Sequence, residues 1–93
     1  MRLDWSEAAL GDLARIHAFL APDAPDAAVR MVQGLVDAAE SLLQNPRIGE
    51  RLESYAPREI RAVMLIGARY EMRYALLNDS LTIVRIWSTR EDR

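Results

Sequence analysis

The chain changes its hydrophobic period once, and that change limits what it can fold into. From residue 58 onward apolar and polar residues alternate in three short runs. Residues 58–65 set Ile60, Ala62 and Met64 on one side and Glu59, Arg61 and Val63 on the other. Residues 69–77 set Tyr70, Met72, Tyr74 and Leu76 against Glu71, Arg73, Ala75 and Leu77, and residues 81–87 form the last run. Ile66-Gly67-Ala68 and Asn78-Asp79-Ser80 supply turns, so the three runs predict an antiparallel meander. Arginines and aromatics recur at matching points along it: Arg61, then Tyr70 and Arg73, then Arg85 and Trp87, with Arg90 just beyond. The expectation is a cationic, aromatic face offered to a partner.

The first half has the helical period. Residues 1–5 read as a short strand, and Ser6 is placed to cap a helix over about residues 7–21, with Glu7 in the first turn where the helix dipole favours an acid. Ala9, Leu10, Leu13, Ile16, His17 and Leu20 share one face, and Pro22 stops the helix. A second helix starts at Asp23-Ala24-Pro25-Asp26, since proline is tolerated in a first turn. Ala28, Val32, Leu35, Val36, Ala39, Leu42 and Leu43 give it a wide apolar stripe opposite Arg30, Gln33, Asp37, Glu40 and Gln44. Asn45-Pro46 ends it, and a loop runs from Arg47 to about Ala56. The order β-α-α-β-β-β predicts one α+β domain over residues 1–93, a helical hairpin packed on a small antiparallel sheet.

Composition closes several routes. The chain has no Cys, which excludes disulfides and Cys-based metal sites, and neither a metal nor a cofactor is expected. No apolar run approaches the roughly 20 residues that span a bilayer, and Met1–Trp5 is too short for a signal peptide, so a cytoplasmic location is expected. All 12 basic residues are Arg, which rules out a Lys base or Schiff base. Residues 1–50 hold four Arg against eight acids, and residues 51–93 hold eight Arg against six, so the net charge of -2 conceals a basic patch. That overall charge argues against a dedicated, sequence-specific nucleic-acid binder. A partner with an acidic tail suits the patch better, because Arg–carboxylate pairs are strong and directional. Phe19 falls off the apolar face, beside Asp12 and Ala8; it either tucks against the Pro22 turn or docks a partner helix.

Asp12-Leu13 and Ile16 in the first helix, Leu43-x-x-Pro46-x-x-Gly49 after the second, Arg58-Glu59-Ile60, Tyr70-x-x-x-Tyr74, and Arg85-Ile86-Trp87 before Arg90-Glu91-Asp92-Arg93 follow one another over nearly the whole chain. In this order and spacing the sequence resembles the ParE/RelE superfamily, on its ParE-like branch. The resemblance implies a bacterial type II toxin–antitoxin module, of the kind that stabilises plasmids, with a ParD-like antitoxin silencing the toxin in a hetero-oligomer. Two activities occur in that superfamily. RelE-like members cut messenger RNA on the ribosome, which needs a base, cations for the phosphate and an acid for the leaving oxygen. Aligned on Arg58 and Tyr74, the Lys-rich places of RelE fall on Ala62 and Met64 and a phosphate-binding Arg on Glu71; other nucleolytic relatives carry a His near the chain end where this sequence has Ser88, and the only His, His17, belongs to a helix. ParE-like members poison DNA gyrase by binding and need no catalytic residue, and none is expected here. The residues expected to bind the target are Arg61, Tyr70, Arg73, Arg85, Trp87 and Arg90. Those expected to bind the antitoxin are Leu13, Phe19, Arg58, Arg61 and Arg73. A RelE-like mRNA interferase and a non-toxic, antitoxin-binding co-repressor remain the alternatives on sequence grounds.

Overall fold

The computed structural model describes residues 1–90. In chain order the elements are β1 (Arg2–Trp5), α1 (Glu7–Leu20), α2 (Pro25–Ser41), β2 (Glu50–Arg51), β3 (Glu59–Leu65), β4 (Tyr70–Leu77) and β5 (Ser80–Ser88). One turn of 3₁₀ helix, Leu42–Gln44, prolongs α2, and a second, Glu53–Tyr55, lies between β2 and β3. The strands form a single sheet in the order β1-β5-β4-β3-β2. The α+β architecture is the one the periodicity predicts, with two refinements. β1 pairs parallel to β5, so the sheet is mixed, and the loop after α2 contributes the two-residue strand β2 against Arg61 and Ala62. A two-residue strand leaves no alternation to read in a sequence.

Both helices cover one face of the sheet. That face carries Tyr70, Met72, Tyr74 and Leu76 from β4, Val63 and Leu65 from β3, and Leu81, Ile83 and Ile86 from β5, packed on Ala9, Leu13 and Ile16 of α1 and Leu35 and Ala39 of α2. The buried residues of β5 step by two and then by three because the β4–β5 register slips between Arg73 and Tyr74, which leaves Val84 as the extra residue of a bulge. The α1 face differs from the expected one: Leu10 is 52% exposed and His17 is exposed, while the buried positions are Ala9, Asp12, Leu13 and Ile16. A carboxylate thus takes a place that the helical period reserves for the core.

The reason lies at the edge of β5. β1 pairs only with Ser80–Ile83, so the remainder of that edge lacks a neighbouring strand, and α1 runs alongside it. Ser6 caps α1 by accepting from the Ala9 N–H at 3.0 Å and donates its hydroxyl to the Val84 carbonyl at 2.8 Å. Asp12 Oδ2 accepts the Ile86 N–H at 2.8 Å, and Arg15 Nη2 donates to the Ile86 carbonyl at 3.4 Å. Asp12 also receives Arg85 Nε at 2.9 Å and Nη2 at 3.1 Å, and Arg15 Nη2 at 3.1 Å. Burial pushes the Asp12 carboxyl up, but the hydrogen bonds from Arg85, the Ile86 backbone and Arg15 outweigh it and hold the group below the usual carboxylate range.

The loop before β2 is latched to the same sheet. The Tyr74 hydroxyl, kept protonated to high pH by burial, donates to the Pro46 carbonyl at 2.8 Å and accepts the Gly49 N–H at 3.0 Å. A Cβ at Gly49 would stand 2.7 Å from that hydroxyl and 2.8 Å from the Ala62 carbonyl oxygen, so the approach requires glycine.

Replacing Asp12 with Ala strips the Ile86 N–H and the Arg85 guanidinium of their acceptor, and should cost about 2–3 kcal/mol in urea unfolding. A carboxylate whose folded pKa is depressed stabilises above its unfolded pKa and loses that contribution as the pH falls through the folded value. Stability should therefore decline below about pH 4, and Asp12→Asn should lack this acid-dependent component in the same titration.

Candidate functional site

The predicted site residues divide between the two faces of the sheet. Arg73, Arg85 and Trp87 share the face that the helices leave open. The guanidiniums of Arg73 and Arg85 lie 4.7 Å and 5.1 Å from the centroid of the Trp87 ring, within the range of cation–π attraction. The two arginines are direct cross-strand partners, an arrangement that repels when the charges are uncompensated. Here each has a carboxylate: Glu71 Oε2 accepts from Arg73 Nε at 2.6 Å, and Asp12 holds Arg85 around the β5 edge. Arg73 Nη1 also donates to the Tyr55 hydroxyl at 3.0 Å, and Arg58 lies 5.9 Å from the Tyr55 ring centroid. Ile60, Ala75, Leu77 and Val84 supply the apolar floor of this open face, a groove of about 720 Å³.

Arg61 and Tyr70 point the other way, which corrects the expectation of one cationic, aromatic face. Arg61 is the direct partner of Tyr74, and residues opposite one another in an antiparallel pair share a face, so Arg61 is out of phase with Arg73. Its side chain is 15% exposed, donates to Glu59 Oε2 at 2.8 Å and to the Gly49 carbonyl at 2.7 Å, and so pins the loop that Tyr74 latches. Glu59, bonded by both Arg61 and Arg47, is held below the usual carboxylate range. Tyr70 is buried in the core. So is Leu13, which supports any docking surface from beneath and is not presented on it.

Phe19 is the opposite case. It is 82% exposed, so it does not tuck against the Pro22 turn. It lies at a second groove, of about 660 Å³, between the end of α1, Met31 of α2 and the adjoining ends of β4 and β5. Ile16, Leu20, Met31 and Tyr70 give this groove apolar walls, and Arg15, Arg69 and Arg90 surround it with positive charge. Among the described residues the Arg69 and Arg90 side chains make no hydrogen bond or ion pair. Arg90, expected on the target surface, thus stands beside Phe19; Glu91, Asp92 and Arg93 lie outside the described residues. Among the described residues no group of His, Cys, Asp and Glu could hold a metal, and no helix is long and apolar enough to cross a membrane.

Sequence reasoning missed Asp12, Arg15, Met31, Tyr55 and Arg69 as members of these surfaces. Asp12 left a signal, because it lies three residues after Ala9 and four before Ile16 on the buried stripe. Arg69 and Met31 left none, since they meet only when the strand ends fold beneath the helical hairpin.

A family model described as ParE toxin of type II toxin–antitoxin system, parDE, matches residues 3–93. Among solved structures the chain is similar to the chromosomal ParDE toxin–antitoxin system from P. aeruginosa, at 25% identity and a TM-score of 0.80 over 95% of each chain. It shares its fold with the isolated E. coli RelE toxin, at 15% identity and a TM-score of 0.67 over 99% of this chain and 87% of that one. The intact E. coli RelBE toxin–antitoxin complex gives 15% identity and a TM-score of 0.67 over 97% and 98%. No curated protein sequence matches the chain at a significant level.

Core and docking surface should separate on mutation. Leu13→Ala should lose about 2–4 kcal/mol in urea unfolding. Phe19→Asp should change stability by less than about 0.5 kcal/mol, because an exposed side chain has little packing to lose.

Proposed function

The chain belongs to the ParE toxin family of type II toxin–antitoxin systems, and on that premise we propose that a cognate antitoxin silences it by docking in the Phe19 groove and that its target is DNA gyrase, blocked by binding. The observation that carries the antitoxin reading is the groove itself. A phenylalanine with 82% of its surface in water, over apolar walls and among three arginines, suits an amphipathic segment with apolar residues on one side and carboxylates on the other. Large exposed apolar patches on small proteins mark interaction sites. The P. aeruginosa ParDE system and the E. coli RelBE complex pair a toxin of this fold with an antitoxin, which supports the same arrangement here.

The open face supports binding over RNA cleavage. Both of its central arginines already hold protein carboxylates, and Glu71 brings negative charge to the place where a phosphate would need attraction. Ala62 and Met64 offer no proton acceptor, and His17 lies exposed on α1, an element packed on the other side of the sheet. Interface hot spots favour Trp and Arg, and this face combines Trp87 with Arg58, Arg73 and Arg85 above an apolar floor. Inhibition of gyrase requires a cytoplasmic protein, and that location is part of the proposal.

Expressed without its antitoxin, the chain should arrest growth with DNA-damage signalling, and the purified protein should inhibit supercoiling by gyrase while leaving ribosome-bound message intact. Codon-register cleavage of that message with gyrase unaffected would assign the chain to the interferases; no growth arrest would leave only a co-repressor. Phe19→Asp should weaken antitoxin binding by about 30-fold, the loss of one hot-spot residue worth about 2 kcal/mol, with gyrase inhibition unchanged.

A further inference from the structure

Most of the charge along the open-face groove is spent within the protein, and what is left over limits what the groove can receive. Arg47, Arg58, Arg73 and Arg85 line it. Arg47 is held by both oxygens of Glu59, at 3.0 Å each, Arg73 by Glu71 and Arg85 by Asp12. Arg58 is the exception. It is exposed, and among the described residues its guanidinium meets the Tyr55 ring at 5.9 Å and no carboxylate. The apolar floor runs to the end of the sheet where Arg58 stands. Ala75 and Leu77 alternate with buried Tyr74 and Leu76, so both face outward on β4, and Leu77 is 71% exposed. Glu59 pairs with Leu76, and the same antiparallel register carried back one residue sets Arg58 level with Leu77. An uncommitted guanidinium fork and a water-exposed hydrocarbon side chain thus close one end of the groove together.

We propose that this groove binds a segment of the target protein in which an apolar or aromatic side chain stands next to a single carboxylate, the first seated on Ala75, Leu77 and Val84 and the second held by Arg58. The inference rests on the target reading above and goes beyond it in naming the chemistry that the target presents. Charge selects this occupant. A nucleic-acid strand needs several uncommitted cations along its phosphates, and this face offers one. An antitoxin segment with several carboxylates is better matched by the Phe19 groove, where Arg69 and Arg90 are both uncommitted among the described residues. A second copy paired through the same face would have to supply the carboxylate from its own groove. The one carboxylate lining that groove among the described residues, Glu59, is already shared by Arg47 and Arg61. Exposed ion pairs contribute little, so the apolar contact carries the affinity and the carboxylate chooses among apolar segments.

The test separates the chemistry of the groove from the identity of the target. Acetyl-Trp-Glu-amide and acetyl-Trp-Gln-amide share a shape and differ by one charge, and each is titrated into the isotope-labelled protein and followed by NMR. Both should shift the backbone amides of Ala75, Leu77 and Val84, and the Glu peptide should bind about 5-fold tighter, as one exposed Arg–carboxylate pair allows. Arg58→Gln should erase that preference without moving the melting temperature, because the side chain is exposed. Leu77→Ser should weaken both peptides and keep the preference. Against purified gyrase, Arg58→Gln should weaken binding about 5-fold and Leu77→Ser about 10-fold. Equal affinity of the two peptides for the parent, a preference that survives Arg58→Gln, or shifts confined to the Phe19 groove overturns the proposal. Self-association of the free protein through the same amides overturns it too, by giving the face to a second copy. The expected peptide preference without any binding to gyrase would uphold the groove chemistry and remove gyrase as the target. Gyrase binding untouched by either variant would keep gyrase and overturn the groove as its site.

Discussion

The Asp12 carboxylate does the work of a strand that the chain does not have, and most of the architecture hangs on that substitution. β1 is four residues long and stops at Trp5, opposite Ile83, while β5 continues to Ser88. An uncovered edge in the middle of a fold would leave backbone groups without partners, at a cost of roughly 1–3 kcal/mol for each buried one. Ser6, Asp12 and Arg15 satisfy Val84 and Ile86 from side chains on or just before one helix. This fixes α1 along the edge at one rotation and one height. The rotation in turn decides that Leu13 and Ile16 face the core and that Phe19, about one and two-thirds turns beyond Leu13, faces out.

The same carboxylate joins the two faces of the sheet. Arg85 begins on the open face beside Trp87 and reaches around the edge to Asp12, whose other oxygen is shared with Arg15 at the rim of the groove. The bulge at Val84 makes this geometry available by inserting one residue between Ile83 and Arg85. With strict alternation Arg85 would share a face with Ile83 and enter the core. The bulge therefore keeps a charge out of the interior and adds Arg85 to the Trp87 stack. Since its fork is already used, Arg85 offers a partner the stacked plane of a guanidinium more than its hydrogen-bond donors.

Two surfaces with different chemistry result. The groove beside Phe19 combines exposed hydrocarbon with two cations, Arg69 and Arg90, whose side chains make no hydrogen bond or ion pair among the described residues, the composition expected where another protein completes the structure. The open face is internally neutralised, with Arg73 on Glu71 and Arg85 on Asp12, and presents shape and aromatic area. Under the proposed function target and silencer are distinct, and that separation lets each surface be strong without mimicking the other.

Periodicity alone determined the element order, the helical hairpin and the central meander. Alternation of apolar residues at 60, 72, 74, 76 and 81, and helical spacing at 13, 16, 35, 39 and 42, report burial in one dimension, and burial is what those residues do. Resemblance along nearly the whole chain identified the superfamily on weak motifs in a fixed order, and the family match over residues 3–93 agrees with it. The sites were less legible. Arg61 and Arg73 look equivalent in an alternating pattern, yet pairing register puts one on the face of Tyr74, against the loop after α2, and the other on the open face. Phase between strands is a property of the ladder, set by turns and bulges, and no single run of residues contains it. Asp12 could be seen as a misplaced charge, but its purpose required knowing that β1 ends early beside β5. The sequence by itself settled the order of the helices and main strands and most of the apolar residues they bury. Only the tertiary structure decided which face each arginine occupies, because that depends on the pairing register between strands and on the bulge in β5.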